Sequence, residues 1–163
     1  MKYYEELLAS LKLEDPEKAE FLEEEVNIMI HKLKFLLEES FPSVVILSQE
    51  DDFEPLFSES LHEKVILSGG RLLNDKHENP NVIVLLQHDE SLYSSLPELL
   101  GQSWLTQSLA YQNNAIFIIE YPNFGRDLHT YLTETEILAE ILQPKYFYFG
   151  HEGNGWTKFE VLS

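Results

Sequence analysis

The stretches NPNVIVLLQHDESL (residues 79–92) and AIFIIEYPNFGRDL (residues 115–128) each set a continuous apolar run in front of polar loop residues. Residues 82–86 and 115–119 are rich in β-branched side chains and lack the alternation of a half-wet strand, so both read as strands buried on two faces. Between them, residues 91–100 and SWLTQSLAYQNN (residues 103–114) carry helical signal, separated by Gly101. Beyond them, TEILAEILQPKYF (residues 135–147) belongs to a helix expected over 133–142 and stopped before Pro144. Strands that alternate with helices pair in parallel through crossover connections. The expected fold class is therefore α/β: a single three-layer domain with a mainly parallel sheet, helices on both faces and a long N-terminal helix.

Toward the N-terminus, residues 44–47 form another buried-strand run. Upstream, Asp15-Pro16 is a helix start, an N-cap side chain followed by proline at the first helical position. The helix is expected to run to about Ser40 and to end at Phe41-Pro42. Leu22, Val26, Met29, Leu33 and Leu36 make a stripe at helical spacing, and Phe21, Ile28 and Phe35 widen it at heptad spacing. So broad a face calls for more than one partner: a sheet on one side, and on the other a leading helix around residues 4–11 or a second copy of the chain. A homodimer through the 15–40 helix is the expected assembly. Within residues 49–63, Phe53, Leu56, Phe57 and Leu61 fit a short helix; residues 65–67 read as a brief strand and Gly69-Gly70 as a turn. Residues 146–149 read as a fourth main strand, and the turn-rich segment 152–155 is expected to fold residues 156–161 back as an antiparallel partner. The division is one domain over 1–163: a helical leader and long helix to residue 40, then an α/β lobe over 41–163.

With 163 residues and 44% apolar content, the chain can bury one core. Eleven Lys and Arg stand against 29 Asp and Glu, a formal charge of −18. That field repels phosphate backbones, so no nucleic acid partner is expected. No apolar run is long enough to insert across a bilayer. Cysteine is absent, which removes disulfides, thiolate metal sites and cysteine nucleophiles. None of the six histidines has the spacing of a helical metal pair, and the His88-Asp89-Glu90 cluster consists of neighbours that do not ordinarily converge on one ion, so no metal site is expected. The N-terminal residues lack the basic and apolar regions of a signal peptide, and no cysteine offers a lipid anchor, so the expected location is cytoplasmic. No glycine-flanked nucleophile elbow occurs, and Gly69-Gly70 lacks the lysine of a phosphate-binding loop. A non-enzyme is expected, with no catalytic residue and no resident cofactor.

The stretch DPEKAEFLEEEVNIMIHKLKFLLEESFPSVVIL (residues 15–47), with Lys18-Ala19-Glu20 near its start, resembles a long helix leading into the first strand of the C-terminal lobe of helical-backbone (class III) substrate-binding proteins. These receptors deliver siderophores, haem or cobalamin to bacterial ABC importers. SGGRL at 68–72, PNVIVLL at 80–86, Trp104 ahead of Ala110 and Asn113, the strand at 115, and Leu138-Ala139 with Ile141-Leu142 before Pro144 continue the resemblance across most of residues 15–149. It implies an isolated second lobe and half of a cleft that, in the family, holds an iron chelate, haem or corrinoid between two lobes. Residues 74–81 are too short for the family's helix whose glutamate docks on permease arginines, and Asn81 stands where the family carries aspartate. An ABC permease partner is therefore expected to lack that contact. Of the family's Arg-Pro-rich segment, only Pro122 and Arg126 remain.

In an open parallel sheet, ligands bind beyond the carboxyl ends of the strands. That rule selects Ser48 and Gln49 after one strand, Gln87 and His88 after the next, and Tyr121, Asn123 and Arg126 after the third. Their amides, imidazole and guanidinium suit a carboxylate or propionate; the plainer reading is that they are loop residues capping a sheet. The expected function is a non-enzymatic binding or self-association domain. The alternatives are a ligand-binding component for a ferric siderophore, haem or cobalamin in ABC transport, and a small hydrolase.

Overall fold

In the computed structural model, which describes residues 1–161, the chain opens with two helices, α1 (Lys2–Glu14) and α2 (Pro16–Leu33), hinged at Asp15. Asp15 accepts a hydrogen bond from the Lys18 N–H at 3.3 Å, and Pro16 takes the first helical position, where its missing donor costs nothing. Next come β1 (Ser43–Ser48), β2 (Glu54–Pro55), α3 (Glu59–Leu67), β3 (Arg71–Leu72) and β4 (Val82–Leu86). The path continues through α4 (Leu92–Leu100), α5 (Ser103–Thr106), α6 (Leu109–Gln112), β5 (Ile116–Ile119), α7 (Tyr131–Leu142) and β6 (Trp156–Phe159).

β4 lies between β1 and β5 and is parallel to both, with Val44 opposite Val82 and Leu86 opposite Ile119. β6 closes one edge antiparallel to β5; β2, antiparallel, and β3, parallel, share the other edge of β1. Successive strand residues point to opposite faces and so enter different cores. Val44, Ile46, Val82 and Val84 pack with Leu61 and Val65 of α3 and with Ile137, Leu138 and Ile141 of α7. Val45, Leu47, Ile83 and Leu85 pack with Leu92, Leu96 and Leu99 of α4, Leu105 of α5 and Ala110 of α6. These are the three layers expected from the pattern. The α1–α2 hairpin rides outside α3 and α7, where Leu7, Leu22 and Val26 meet Leu67 and Tyr131, and Met29 and Leu33 meet Ala139 and Phe147. Thus α2 covers helices, whereas the sequence suggested that it would cover the sheet.

Several element assignments change. The long helix stops at Leu33 rather than near Ser40. Leu37 is extended, and a 3₁₀ turn at Glu38–Ser40, braced by the Ser40 hydroxyl donating to the Leu37 carbonyl at 2.6 Å, brings Phe41 down onto Met29 and Leu33. Residues 65–67 are the end of α3 and not a strand. Ser58 caps that helix by accepting from the Leu61 N–H at 3.1 Å, and Gly69 (φ +84°) lets the chain reverse, with Gly70 N–H donating to the Val65 carbonyl and Gly69 N–H to that of Ile66. The helix expected within 49–63 is instead a 3₁₀ turn at Gln49–Asp51 followed by β2, and α3 begins only at Glu59. Ser108 divides the helix expected over 103–112: its hydroxyl donates to the Leu105 carbonyl at 2.6 Å and accepts from the Tyr111 N–H at 3.1 Å.

Residues 146–149 form no strand. The N–H groups of Phe149, Gly150 and His151 donate to the Glu140 carboxylate at 2.8, 3.1 and 3.1 Å, so they make no ladder, and the Trp156 indole adds a bond at 3.1 Å. The free edge of β5 is taken by β6, which is antiparallel as expected but pairs with a different strand. Burial pushes the Glu140 carboxyl up, yet the donors from Phe149, Trp156, Gly150 and His151 outweigh it and hold the group below its ordinary value. A depressed folded-state pKa contributes stability that is present above the unfolded value and is lost as pH falls through the folded one. Glu140→Gln should therefore cost about 2 kcal/mol near neutral pH, and urea unfolding at stepwise lower pH should show the gap to the unmodified protein closing.

Candidate functional site

After β1 the chain turns to one edge of the sheet and sends α3 across one face; after β4 it turns to the other edge and sends α4 across the other face. The crevice between those two exits, at the carboxyl ends of the strands, is where open α/β sheets bind ligands. A cleft of about 260 Å³ opens there. Ser48, Gln87 and His88 come from the strand ends, Glu50 and Asp51 from the β1–β2 connection, Ser58, Ser60 and Lys64 from the start of α3, and Tyr121, Asn123 and Arg126 from the loop after β5.

Ser48, Gln87, His88, Tyr121, Asn123 and Arg126, all selected from the sequence, line this one cleft. Gln49 does not. Its Nε2 donates to Asp89 Oδ1 and Ser91 Oγ, both at 2.9 Å, while its Oε1 accepts from the N–H groups of His88 at 2.6 Å and Asp89 at 3.0 Å. Gln49 is thus a clip that ties the turn after β4 to the end of β1. The Ser91 hydroxyl and N–H, followed by the Gln49 amide, hold the Asp89 carboxyl below its ordinary value.

Two layers of charge organise the cleft. At the mouth, the Arg126 guanidinium bonds the Glu50 carboxylate, and His88 Nδ1 lies 4.0 Å from the same oxygen. These side chains are 61%, 40% and 57% exposed for Arg126, Glu50 and His88, so the contacts add little stability. Beneath them, Lys64 Nζ meets Glu134 Oε1 at 2.6 Å with both side chains enclosed. The other Glu134 oxygen accepts from the Gly125 N–H at 2.8 Å and the Thr130 hydroxyl at 2.7 Å, which pins the loop 121–130 to α7. Phe124 anchors the same loop in the core, and left-handed turns at Asn123 (φ +58°) and Gly125 (φ +81°) on either side of it set the course of the chain toward Arg126.

Glu50, Lys64 and Glu134 carry this arrangement and were not singled out from the sequence. The one local cue was a carboxylate, Glu134, set among apolar positions of a helix that buries most of its surface. Lys64 sits 70 residues away in the chain, and no spacing rule reaches that far. The cleft offers a guanidinium, an imidazole, a phenol, two amides and three hydroxyls of serine, with the carboxylates of Glu50 and Asp51 and the ammonium of Lys64 among them, a set capable of ionic and hydrogen-bonded contacts. Among the described residues, no three His, Asp or Glu side chains gather where they could hold a metal ion.

No protein-family model and no curated protein matches the chain. Solved structures match it in shape. An ABC transporter solute-binding protein from Sulfurospirillum deleyianum shares 13% identity with a TM-score of 0.63, covering 90% of this chain and 52% of its own. An ABC transporter substrate-binding protein from Listeria monocytogenes shares 14% identity with a TM-score of 0.65, covering 86% and 63%. The TroA-like periplasmic binding protein FepB from Veillonella parvula shares 18% identity with a TM-score of 0.57, covering 89% and 52%. The resemblance to class III substrate-binding proteins therefore holds at the level of the fold, and the chain spans roughly half the length of most of these structures.

Removing one member of an enclosed ion pair leaves the other uncompensated. Glu134→Ala should cost about 3–5 kcal/mol in chemical denaturation and raise amide exchange across the loop 121–130. The paired change Lys64→Met with Glu134→Leu should cost less than Glu134→Ala.

Proposed function

We propose that the chain is a non-enzymatic solute-binding lobe whose ligand lies over the carboxyl ends of β1, β4 and β5. The observation that carries this reading is the convergence of His88, Tyr121, Asn123 and Arg126 on one crevice, at the switch point of a fold shared with solute-binding proteins. Leu56, Leu86 and Phe124 supply apolar wall beside these polar groups. A ligand carboxylate would replace Glu50 on Arg126, with His88 beside it, while an apolar body rests on the wall. Ferric siderophores, haem and corrinoids combine such polar rims with large bodies.

Size and charge narrow the reading. The cleft, at about 260 Å³, falls below the roughly 300–1,000 Å³ of pockets that engulf a ligand, so a large chelate would be covered on one side only and a second surface would complete the site. The formal charge of −18 disfavours small free anions. It leaves room for a bulky complex that brings one carboxylate to Arg126. Delivery to an ABC permease would use contacts other than the family's docking helix, because the segment before β4 makes only a 3₁₀ turn at Lys76–Glu78.

The test is a titration of the purified chain with haem, cobalamin and ferric siderophores, following tryptophan fluorescence and ligand absorbance. One of them should saturate at a fixed stoichiometry, Arg126→Ala should weaken it about tenfold, and Glu50→Gln should strengthen it by freeing the guanidinium. No saturation with any of the three, or an Arg126→Ala protein that binds as well as the unmodified one, removes the proposal.

A further inference from the structure

We infer that the outer face of α2 is a self-association surface, on which a second copy of this chain docks with its own α2 antiparallel, the two-fold axis passing at Ile28. Helix α2 has two apolar stripes. Ala19, Leu22, Val26, Met29 and Leu33 are buried against the rest of the chain. Phe21 and Ile28 lie on the far side, with Phe35 just beyond the helix end, and they are 55%, 49% and 82% exposed. Residues seven apart drift by only about 20° around a helix, so Phe21 and Ile28 form a line, and Lys34, at φ −64° and ψ −21°, carries the chain from the helix end to Phe35. Single exposed apolar residues are ordinary, but two large ones in helical register, followed past the helix end by Phe35 and by Leu37 at 66% exposure, form a seam of the kind that a facing helix fills.

Charge identifies the occupant. The N-terminal half of α2 carries Glu17, Glu20, Glu23, Glu24 and Glu25 against one cation, Lys18, while the C-terminal end carries His31, Lys32 and Lys34, with Glu38 and Glu39 following only in the 3₁₀ turn beyond the helix. A parallel copy would set acid against acid. An antiparallel copy sets the acidic half of each helix against the basic end of the other, as like-sign avoidance at an interface requires. Position numbers show the same symmetry: with Ile28 on the axis, Phe21 of one copy stands beside Phe35 of the other. The asymmetry of charge also complements the helix's own macrodipole, so charge alone would call for no partner; the exposed seam does. Lys34 lies over the Phe35 ring at 5.0 Å, so its amine is held beside the seam, whereas Lys32 donates to the Tyr146 carbonyl at 3.1 Å within its own chain. A surface that matches itself under a two-fold rotation closes into a dimer and does not propagate.

Because the chain has no cysteine, single introduced cysteines report the geometry directly. The full chain should sediment as a dimer, and Ile28→Cys should oxidise to a disulfide-linked dimer. Phe21→Cys alone should not link, since its two copies would stand about 21 Å apart along the axis, whereas a mixture of Phe21→Cys and Phe35→Cys chains should. Ile28→Glu, which sets two carboxylates face to face, should sediment as a monomer with an unchanged circular dichroism spectrum. A monomer of the unmodified chain at every concentration, the result if the seam serves a different protein, overturns the inference. So does a Phe21→Cys chain that links to itself as readily as Ile28→Cys, or an Ile28→Glu chain that remains dimeric.

Discussion

Val44, Val45, Ile46 and Leu47 of β1, like Ile83, Val84 and Leu85 of β4, are enclosed on both faces of the sheet, and the architecture follows from what that enclosure demands. Parallel neighbours cannot be joined by a tight hairpin, so each connection crosses over, and the crossover helices are what cover the faces. Each enclosed Val, Ile or Leu is worth about 1.5–3 kcal/mol, against about 0–1 for an exposed ion pair such as that of Arg126 with Glu50. Burial therefore dictates where the strand ends lie, and the charged groups at the cleft mouth adjust to them. Because α3 and α4 cross opposite faces, the exits of β1 and β4 diverge and leave the crevice open.

Carboxylates hold the parts that burial does not. Glu134 and Glu140, both on α7, bind the loop after β5 and the turn at 149–151 through backbone N–H groups. Glu63 on α3 accepts from the N–H groups of Tyr3 and Tyr4, placing negative charge at the start of α1, and from the Tyr131 hydroxyl. Burial first, and the adjacent Glu63 second, push that hydroxyl well above its ordinary pKa. In a chain with 29 acids, these three tie irregular or terminal segments to helices already set by the core.

The misread segments share one cause. Val65-Ile66-Leu67 and Tyr146-Phe147-Tyr148-Phe149 are apolar runs too short for periodicity to separate strand from helix or loop. The first became helical because Ser58 and Gly69 cap it; the second became a loop because a carboxylate from α7 captures its N–H groups. Gln49 and Glu50 show the same limit within the site. They are neighbours in a polar turn, yet one clips the backbone and the other faces the cleft, since the 3₁₀ turn at Gln49–Asp51, with three residues per turn, sends successive side chains in different directions.

Read alone, the sequence determined the α/β class, the three main parallel strands, the start of α2 at Asp15-Pro16 and most of the strand-end polar residues that line the cleft. Each of these rests on local chemistry: an unbroken apolar run, a cap, or the position of polar residues just past a strand. Only the tertiary structure decided that α2 covers helices, that Glu140 replaces a strand ladder, and that Lys64 and Glu134 meet beneath the cleft. Those outcomes depend on contacts between residues far apart in the chain or on competition for one buried donor, and energies of that kind are settled only when the whole core has closed.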